Sequence, residues 1–508
     1  MTTANTPGVD VRPDGRPHLV ESLLLGLAVL VFVALARYHW QHVADDAFIA
    51  FRYVRNVLAG QGPVWNPGEA VEGFSSPLWL GLLVLGGAVG LPLPAWAGGL
   101  GLLFTALSLF FVHRSTFALS QSRIAAALAC VAAALIYPIS YWAGAGLETA
   151  LFTAVVTAAV LALLGGSPRR CALVAACLGV ARPEGPLLVP ALMGAAVLVH
   201  GRVVMRPRQV ALAFLPMLVW FLFRQVFYRD WFPNPYYAKA TGALLQRLEA
   251  GLLYSLWAVA FGLVTAAGAW LAGALDRKTR AALAFVGFAV VVVIVEGGDW
   301  MWHSRLLAPL LPALVAIAAG SVARSREQRR WVALLACVLA WSAFAPKASL
   351  VADALAGGRL PSSSFQEGTL AQASATAARF IADHYPKNAV VAVNHAGALP
   401  YALPNPAIDM TGLCDWHIAH EREGGVHHKF DAAYVMARRP ALVVLNSATK
   451  PGTNGVWYHP GYWEGETALV NQPKWGELYR PVDAFWEWHW VADVPRYLVL
   501  FERVAGEK

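Results

Sequence analysis

Long apolar runs recur from residue 19 to residue 346 and then stop. The runs are continuous, not alternating, which predicts membrane-spanning helices and argues against a β-barrel. The pattern places spans at 19–38, 76–94, 97–113, 123–141, 147–165, 170–182, 185–200, 209–228, 251–273, 280–296, 304–322 and 330–346. The runs at 170–182 and 185–200 fall short of the about 20 residues a bilayer requires. Tilted, broken or re-entrant segments are expected there. Basic residues gather in short connections at 169–170, 202–208, 277–280 and 324–330, the pattern of cytoplasmic loops. That assignment turns 39–75, 229–250, 297–303 and everything after 346 outward. An inside start and an outside finish need an odd number of crossings. Arg114 and Arg123 make 97–123 the suspect stretch, and 11 or 13 crossings are expected.

Beyond residue 346 the pattern changes. Residues 347–508 have mixed polarity and enough length for a soluble domain. A helix is expected over 369–384. Strands are expected at 389–393, 441–445 and 497–501, with loops around another strand over 394–415. Residues 1–18 read as a polar cytoplasmic tail. The run after them lacks a small-residue cleavage site, so the first helix is expected to be retained. The fold class is therefore a polytopic α-helical membrane protein with a C-terminal α/β extracytoplasmic domain. Within the loop 39–75, Phe48, Phe51, Val54 and Leu58 recur at three- and four-residue steps. They predict an amphipathic helix over 46–58 lying in the interface plane.

Composition sharpens this picture. The 508 residues are 57% hydrophobic and only 14% charged, where a soluble domain carries about 25%. The net charge of +8 is accounted for by the basic loops. No basic stripe with interleaved aromatics suggests nucleic acid. The five cysteines form no CxxC and have no zinc-spaced histidines, so no disulfide framework or metal-thiolate site is expected. Twenty tryptophans suit either an interface belt or sugar stacking.

The unusual polar residues lie in the outward loops. Asp45 and Asp46 follow the first span directly, and ionisable groups at a membrane boundary are functional candidates. A carboxylate there can act as a general base, or Asp45 can merely cap the helix. Adjacent residues at a helix start point about 100° apart, so the two can divide the work. A phosphate-bearing ligand needs cations, and Arg52, Arg182, Lys239 and Arg305 are candidates. Each has a plainer alternative, as a snorkelling anchor or a structural ion pair. Glu148 can bind hydroxyls or cap a helix dipole. Asp299 follows two glycines that permit close backbone approach. Asn66 and Glu72 are weaker candidates. His417, His420, His427 and His428 read as surface or acceptor-side groups. A divalent cation on the aspartate pair stays open, because hard cations take carboxylate oxygens. No metal ligand set is assigned.

Several motifs recur together in order. They are Asp45-Asp46-Ala-Phe-Ile-Ala-Phe-Arg-Tyr, Gly-Pro-Val-Trp-Asn66-Pro-Gly-Glu, and Val-Glu72-Gly-Phe-Ser-Ser-Pro-Leu-Trp. Gly146-Leu-Glu148-Thr, Arg182-Pro-Glu-Gly, Pro233-Asn-Pro-Tyr-Tyr237-Ala-Lys239, Gly297-Gly-Asp299 and Asp409-Met-Thr-Gly-Leu follow. The set resembles bacterial GT-C type glycosyltransferases, closest to the mycobacterial terminal arabinofuranosyltransferase family. The resemblance implies a plasma-membrane enzyme with its active site facing outward. It implies a polyprenyl-phosphate sugar donor, an envelope glycan or surface protein as acceptor, and a first-loop aspartate as base. It brings Tyr237 into the substrate-binding set beside the residues above. Trp300-Met-Trp302-His303 departs from the family pattern, which leaves the acceptor open. A non-enzymatic envelope or flagellar-motor assembly factor on the same scaffold is the rival. A lipid-linked sugar transporter is disfavoured, because the charges cluster on one face without repeated halves.

Overall fold

The computed structural model describes residues 16–39, 43–165, 167–200, 206–239, 243–299, 301, 303–324, 362–421, 429–447, 458, 463–489 and 494–504. Helices follow the apolar runs closely. They are α1 (Arg16–His39), α2 (Asp45–Leu58), α3 (Pro77–Ala88), α4 (Leu93–Ser120), α5 (Arg123–Ala134), α6 (Tyr137–Gly144) and α7 (Thr149–Leu164). Next come α8 (Pro168–Ala181), α9 (Gly185–His200), α10 (Pro207–Phe227), α11 (Asn234–Lys239), α12 (Leu244–Leu271), α13 (Arg277–Glu296) and α14 (Leu311–Ala323). Local chemistry sets the ends. Ser76, Ser122, Ser167 and Asp276 each accept a hydrogen bond from the first turn of the helix they precede. Gly297 ends α13 in the left-handed region at φ +95°.

Among the described residues, His18–Arg37, Leu93–Ser120, Pro207–Phe227, Leu244–Leu271 and Arg277–Glu296 are long and apolar enough to cross a membrane. The pair α5–α6, bent by 63°, can form a sixth span. Shorter apolar helices fill the rest of the bundle. The irregularity expected within 97–123 lies elsewhere: α4 runs unbroken through Arg114, and the break falls between α5 and α6. The short runs flanking Arg182 are two separate helices, with Arg182 extended between them. The run at 330–346 lies outside the described residues.

The tail builds a five-stranded sheet behind the helix α15 (Ser362–His384). Its strands are β1 (Val391–Val393), β2 (Ala407–Asp409), β3 (Leu442–Ser447), β4 (Tyr479–His489) and β5 (Val494–Arg503), in the order β2-β1-β3-β5-β4. β1 pairs in parallel with β2 and β3, while β5 pairs antiparallel with β3 and β4. Side chains alternate across the sheet. Val391, Val393, Leu442, Val444, Leu498 and Leu500 join the same core as the membrane helices. Ala392, Ile408, Val443, Leu445, Val499 and Phe501 pack on the other face against Trp463 and Trp475. Those two tryptophans are core residues, not part of a membrane belt.

Helix α2 forms as its periodicity predicts, but it does not lie bare in the interface. Its Phe51, Tyr53 and Val54 are fully buried. Phe48 and Phe51 pack against Tyr401 of the tail at ring distances of 5.5 and 5.9 Å.

Candidate active site

A cavity opens between the loop 39–75 with α2 and α3, the start of α7, α11 and the loop before α14. Asp46, Ser75, Ser76, Trp79, Glu148, Lys239 and Arg305 line it. Several elements each bring polar groups to it. Ala44 caps α2 in extended conformation, and its N–H bonds the Ala145 carbonyl at 3.0 Å. This sets Asp46 beside the turn that carries Glu148. Glu148 lies 3.5 Å from Arg182, which lies 3.2 Å from Glu184, and all three are buried. Arg305 pairs with Asp299 at 2.7 Å.

Among the described residues Lys239 has neither a hydrogen-bond nor an ion-pair partner. Burial, followed by the charge of Arg305, holds its pKa below the ordinary value, against Asp299, Asp46 and Glu148. Burial also disfavours the charge on Arg305, but Asp299, Glu148 and Asp46 outweigh it and hold Arg305 above its ordinary value. The cavity thus sets two cations against two carboxylates in a space of low dielectric.

The loop before α14 is unusual. His303 and Ser304 occupy the left-handed region at φ +55° and +50° just ahead of Arg305, a costly conformation for residues with side chains. The two glycines before Asp299 serve the protein itself. A Cβ on Gly298 would lie 2.7 Å from the Tyr254 ring. Asp299 is not among the lining residues and meets the cavity only through its ion pair with Arg305.

The other predicted residues do different work. Asp45 is 7% exposed, and its carboxylate accepts from the N–H groups of Gly397 (3.1 Å) and Ala398 (2.8 Å) in the tail. Burial, more than the neighbouring Asp46 charge, raises its pKa, while His395 and the two N–H groups oppose the rise. It is not an N-cap, since Ala44 holds that position.

Arg52 is a cross-link, not a free phosphate cation. It donates to the carbonyls of Trp65 (2.7 Å), Asn405 (2.9 Å) and Pro400, and to Asn66 Oδ1 (3.0 Å). Asn66 in turn donates to the Ala407 carbonyl at 2.7 Å. Glu72 pairs with Arg224 and accepts from Trp220 at 3.0 Å, tying the loop to α10 away from the cavity. Tyr237 sits outside the lining, its ring 4.2 Å from that of His420. His417 bonds Asp431 at 2.8 Å on the surface, whereas His427 and His428 lie outside the described residues.

Sequence reasoning missed Ser75, Ser76 and Trp79, although the Phe-Ser-Ser-Pro-Leu-Trp motif contained them. It also missed the role of Asn234, whose amide donates to the carbonyls of Gly412 (2.8 Å), Leu413 (3.2 Å) and Asp415 (3.1 Å). Asn234 thereby anchors the tail beside Lys239.

The fold and the sequence have counterparts among known proteins. The backbone has the GT-C type fold that the motifs implied. It superposes on ArnT from Cupriavidus metallidurans bound to undecaprenyl phosphate with a TM-score of 0.54, at 16% identity, over 94% of this chain and 99% of that one. The apo form of that protein matches at 0.53 and 17% identity over the same shares. In sequence, the chain is 28% identical to the terminal beta-(1->2)-arabinofuranosyltransferase of Mycobacterium tuberculosis, over 60% of this chain and 57% of that protein. It is 36% identical to the Corynebacterium glutamicum enzyme of the same name over 80 residues, which are 15% of this chain and 12% of that protein. The chain thus spans little more than half of the longer match. Residues 364–499 match a domain of unknown function (DUF8728). The resemblance drawn from the ordered motifs is borne out.

Proposed function

We propose that the protein is a plasma-membrane glycosyltransferase whose cavity transfers a sugar, arabinofuranose by resemblance, from a polyprenyl phosphate to an envelope glycan or surface protein. The observation that carries this reading is the Lys239 amine, without a partner among the described residues, set with Arg305 opposite Asp46 and Glu148 in one cavity. In the reaction, the Asp46 carboxylate takes the proton of an acceptor hydroxyl. The hydroxyl oxygen forms a bond to the anomeric carbon from the face opposite the donor oxygen. The anomeric carbon–phosphate oxygen bond breaks, and the lipid phosphate leaves with the electron pair. Lys239 and Arg305 balance its charge. Inversion follows from attack on the opposite face. Glu148 holds sugar hydroxyls, and the Arg182–Glu184 pair steadies Glu148 from behind. The cavity and tail face outward, so transfer takes place on the outer side of the membrane.

The test is transfer of radiolabelled sugar from synthetic polyprenyl-phosphate arabinofuranose, with mannosyl and aminoarabinosyl analogues, in membranes holding wild type or Asp46→Asn protein. Transfer by wild type and none by a folded Asp46→Asn variant supports the reading. No transfer from any of the three donors across a panel of acceptors favours the assembly-factor rival.

A further inference from the structure

The tail touches the cavity directly at Leu413 and is tied to its aspartate side through Asp45. We infer that Asp45 is a positioning residue, which fixes Asp46 by locking the start of α2 onto the tail turn at 394–398. This inference rests on the reading of Asp46 as the base. Three contacts lead to it. Both Asp45 oxygens take N–H groups of that turn, at 2.8 and 3.1 Å. The turn lies directly on the Asp45 peptide: a Cβ on Gly397 would sit 1.9 Å from the Asp45 carbonyl oxygen and 2.5 Å from its Oδ2. On the opposite side, the Ala44 N–H bonds Ala145, and a Cβ on Gly146 would meet Val43 at 3.0 Å and Ala47 at 3.1 Å.

Residues 44–47 are therefore held between two backbones. One leads within three residues to Glu148, and the other belongs to the tail. Asp46, turned about 100° from Asp45, enters the cavity from this clamp. The tail turn is itself anchored in the sheet. His395 bonds Asn446 of β3 at 2.9 Å, and the buried Glu466 accepts from the Asn446 N–H at 2.9 Å. A displacement of the turn thus moves the base relative to Lys239 and Arg305. Misplacement by about 1 Å costs on the order of 10²-fold in rate.

The experiment uses full-length protein in nanodiscs and compares wild type with Asp45→Asn, Asp45→Ala, Gly397→Ala and Asp46→Asn. It measures kcat, donor KM, and hydrogen exchange at 44–50 and 394–402. Asp45→Ala and Gly397→Ala are expected to lower kcat about 10²-fold, with donor KM within about twofold, and to lose protection in both segments together. Asp45→Asn keeps one acceptor oxygen and is expected to recover part of the rate, whereas Asp46→Asn recovers none. An Asp45→Asn variant as inactive as Asp46→Asn, with protection intact, makes Asp45 the base and overturns the inference. Wild-type kcat in Asp45→Ala overturns it equally. If wild type itself transfers nothing, the functional reading fails. Exchange then still decides the coupling: unchanged protection at 44–50 in Gly397→Ala overturns it.

Discussion

Replacing Arg52 with lysine separates two readings of this residue. A phosphate-binding cation tolerates lysine in part, because the charge stays. A buried cross-link does not. The Arg52 guanidinium serves four acceptors: the carbonyls of Trp65, Pro400 and Asn405, and Asn66 Oδ1. It also lies 4.6 Å over the Trp65 ring. The acceptors surround a planar fork, and one ammonium on a flexible stem reaches at most about two of them. Two buried acceptors then lack donors, at about 1–3 kcal/mol each. The loss of ring contact adds about 0.5–1 kcal/mol. Together, Arg52→Lys is expected to destabilise the packing of tail against loop by about 2.5–7 kcal/mol. Urea unfolding followed by proteolysis of the tail reads this directly, and donor KM should stay within about twofold at low denaturant. Wild-type stability with a tenfold higher donor KM would refute the argument and return Arg52 to the donor site.

Other substitutions test the remaining assignments. Lys239→Met should raise donor KM at least tenfold without lowering stability, because the amine has no protein partner among the described residues. Glu466 is fully buried in the tail, and burial pushes its carboxyl up to about 7 against the Asn446 N–H, His395, Tyr458 and Asn394. A raised carboxyl pKa gives stability that is full below about 4.5 and is lost as pH rises through about 7. The span corresponds to roughly 3 kcal/mol, and Glu466→Gln should flatten the pH dependence of tail unfolding between these limits. Gly73→Ala would place a Cβ 2.5 Å from Cys414 Sγ and 2.8 Å from the Tyr53 hydroxyl. It should cost about 1–3 kcal/mol of stability, read by thermal unfolding. Glu72→Gln should lower stability by about 3 kcal/mol, through the Arg224 charge left buried, with no change in donor KM.

Run length carried most of the membrane half, because a bilayer demands apolar residues over a fixed distance whatever the neighbours are. The buried strands of the tail were legible for a similar reason: Val391–Val393 and Leu442–Ser447 are short apolar runs. β4 was not. Its Pro481 argues against a strand, and its tryptophans suggest an interface belt. Proline is tolerated because β4 is an edge strand, with an irregularity between Pro481 and Asp483. In the site, residue type identified the charged groups but not their partners. Asp46, Glu148, Lys239 and Arg305 do meet. Arg52 and Asn66 instead meet tail atoms more than 300 positions away, which no local pattern encodes. The different surroundings of Asp45 and Asp46 depend on where the tail packs, and two adjacent identical residues carry no sign of it.

The docking of the tail has an engineering consequence. Most of the hydrogen bonds that seat it are addressed to main-chain atoms on the tail side, with Trp416, His420 and Arg438 adding side-chain contacts to Asp230 and Glu69. Asp45 reads two N–H groups, Arg52 and Arg55 read carbonyls, Asn66 reads both groups of Ala407, and Asn234 reads three carbonyls. Such a socket recognises a backbone path rather than a sequence. Apart from Gly397 and the contact side chains of Tyr401, Trp416, His420 and Arg438, a tail of the same trace with other surface residues is expected to plug into the same membrane half. Grafted tails that keep these contacts therefore become interchangeable parts, with which the exposed surface of the tail can be rewritten while the cavity beneath it is kept.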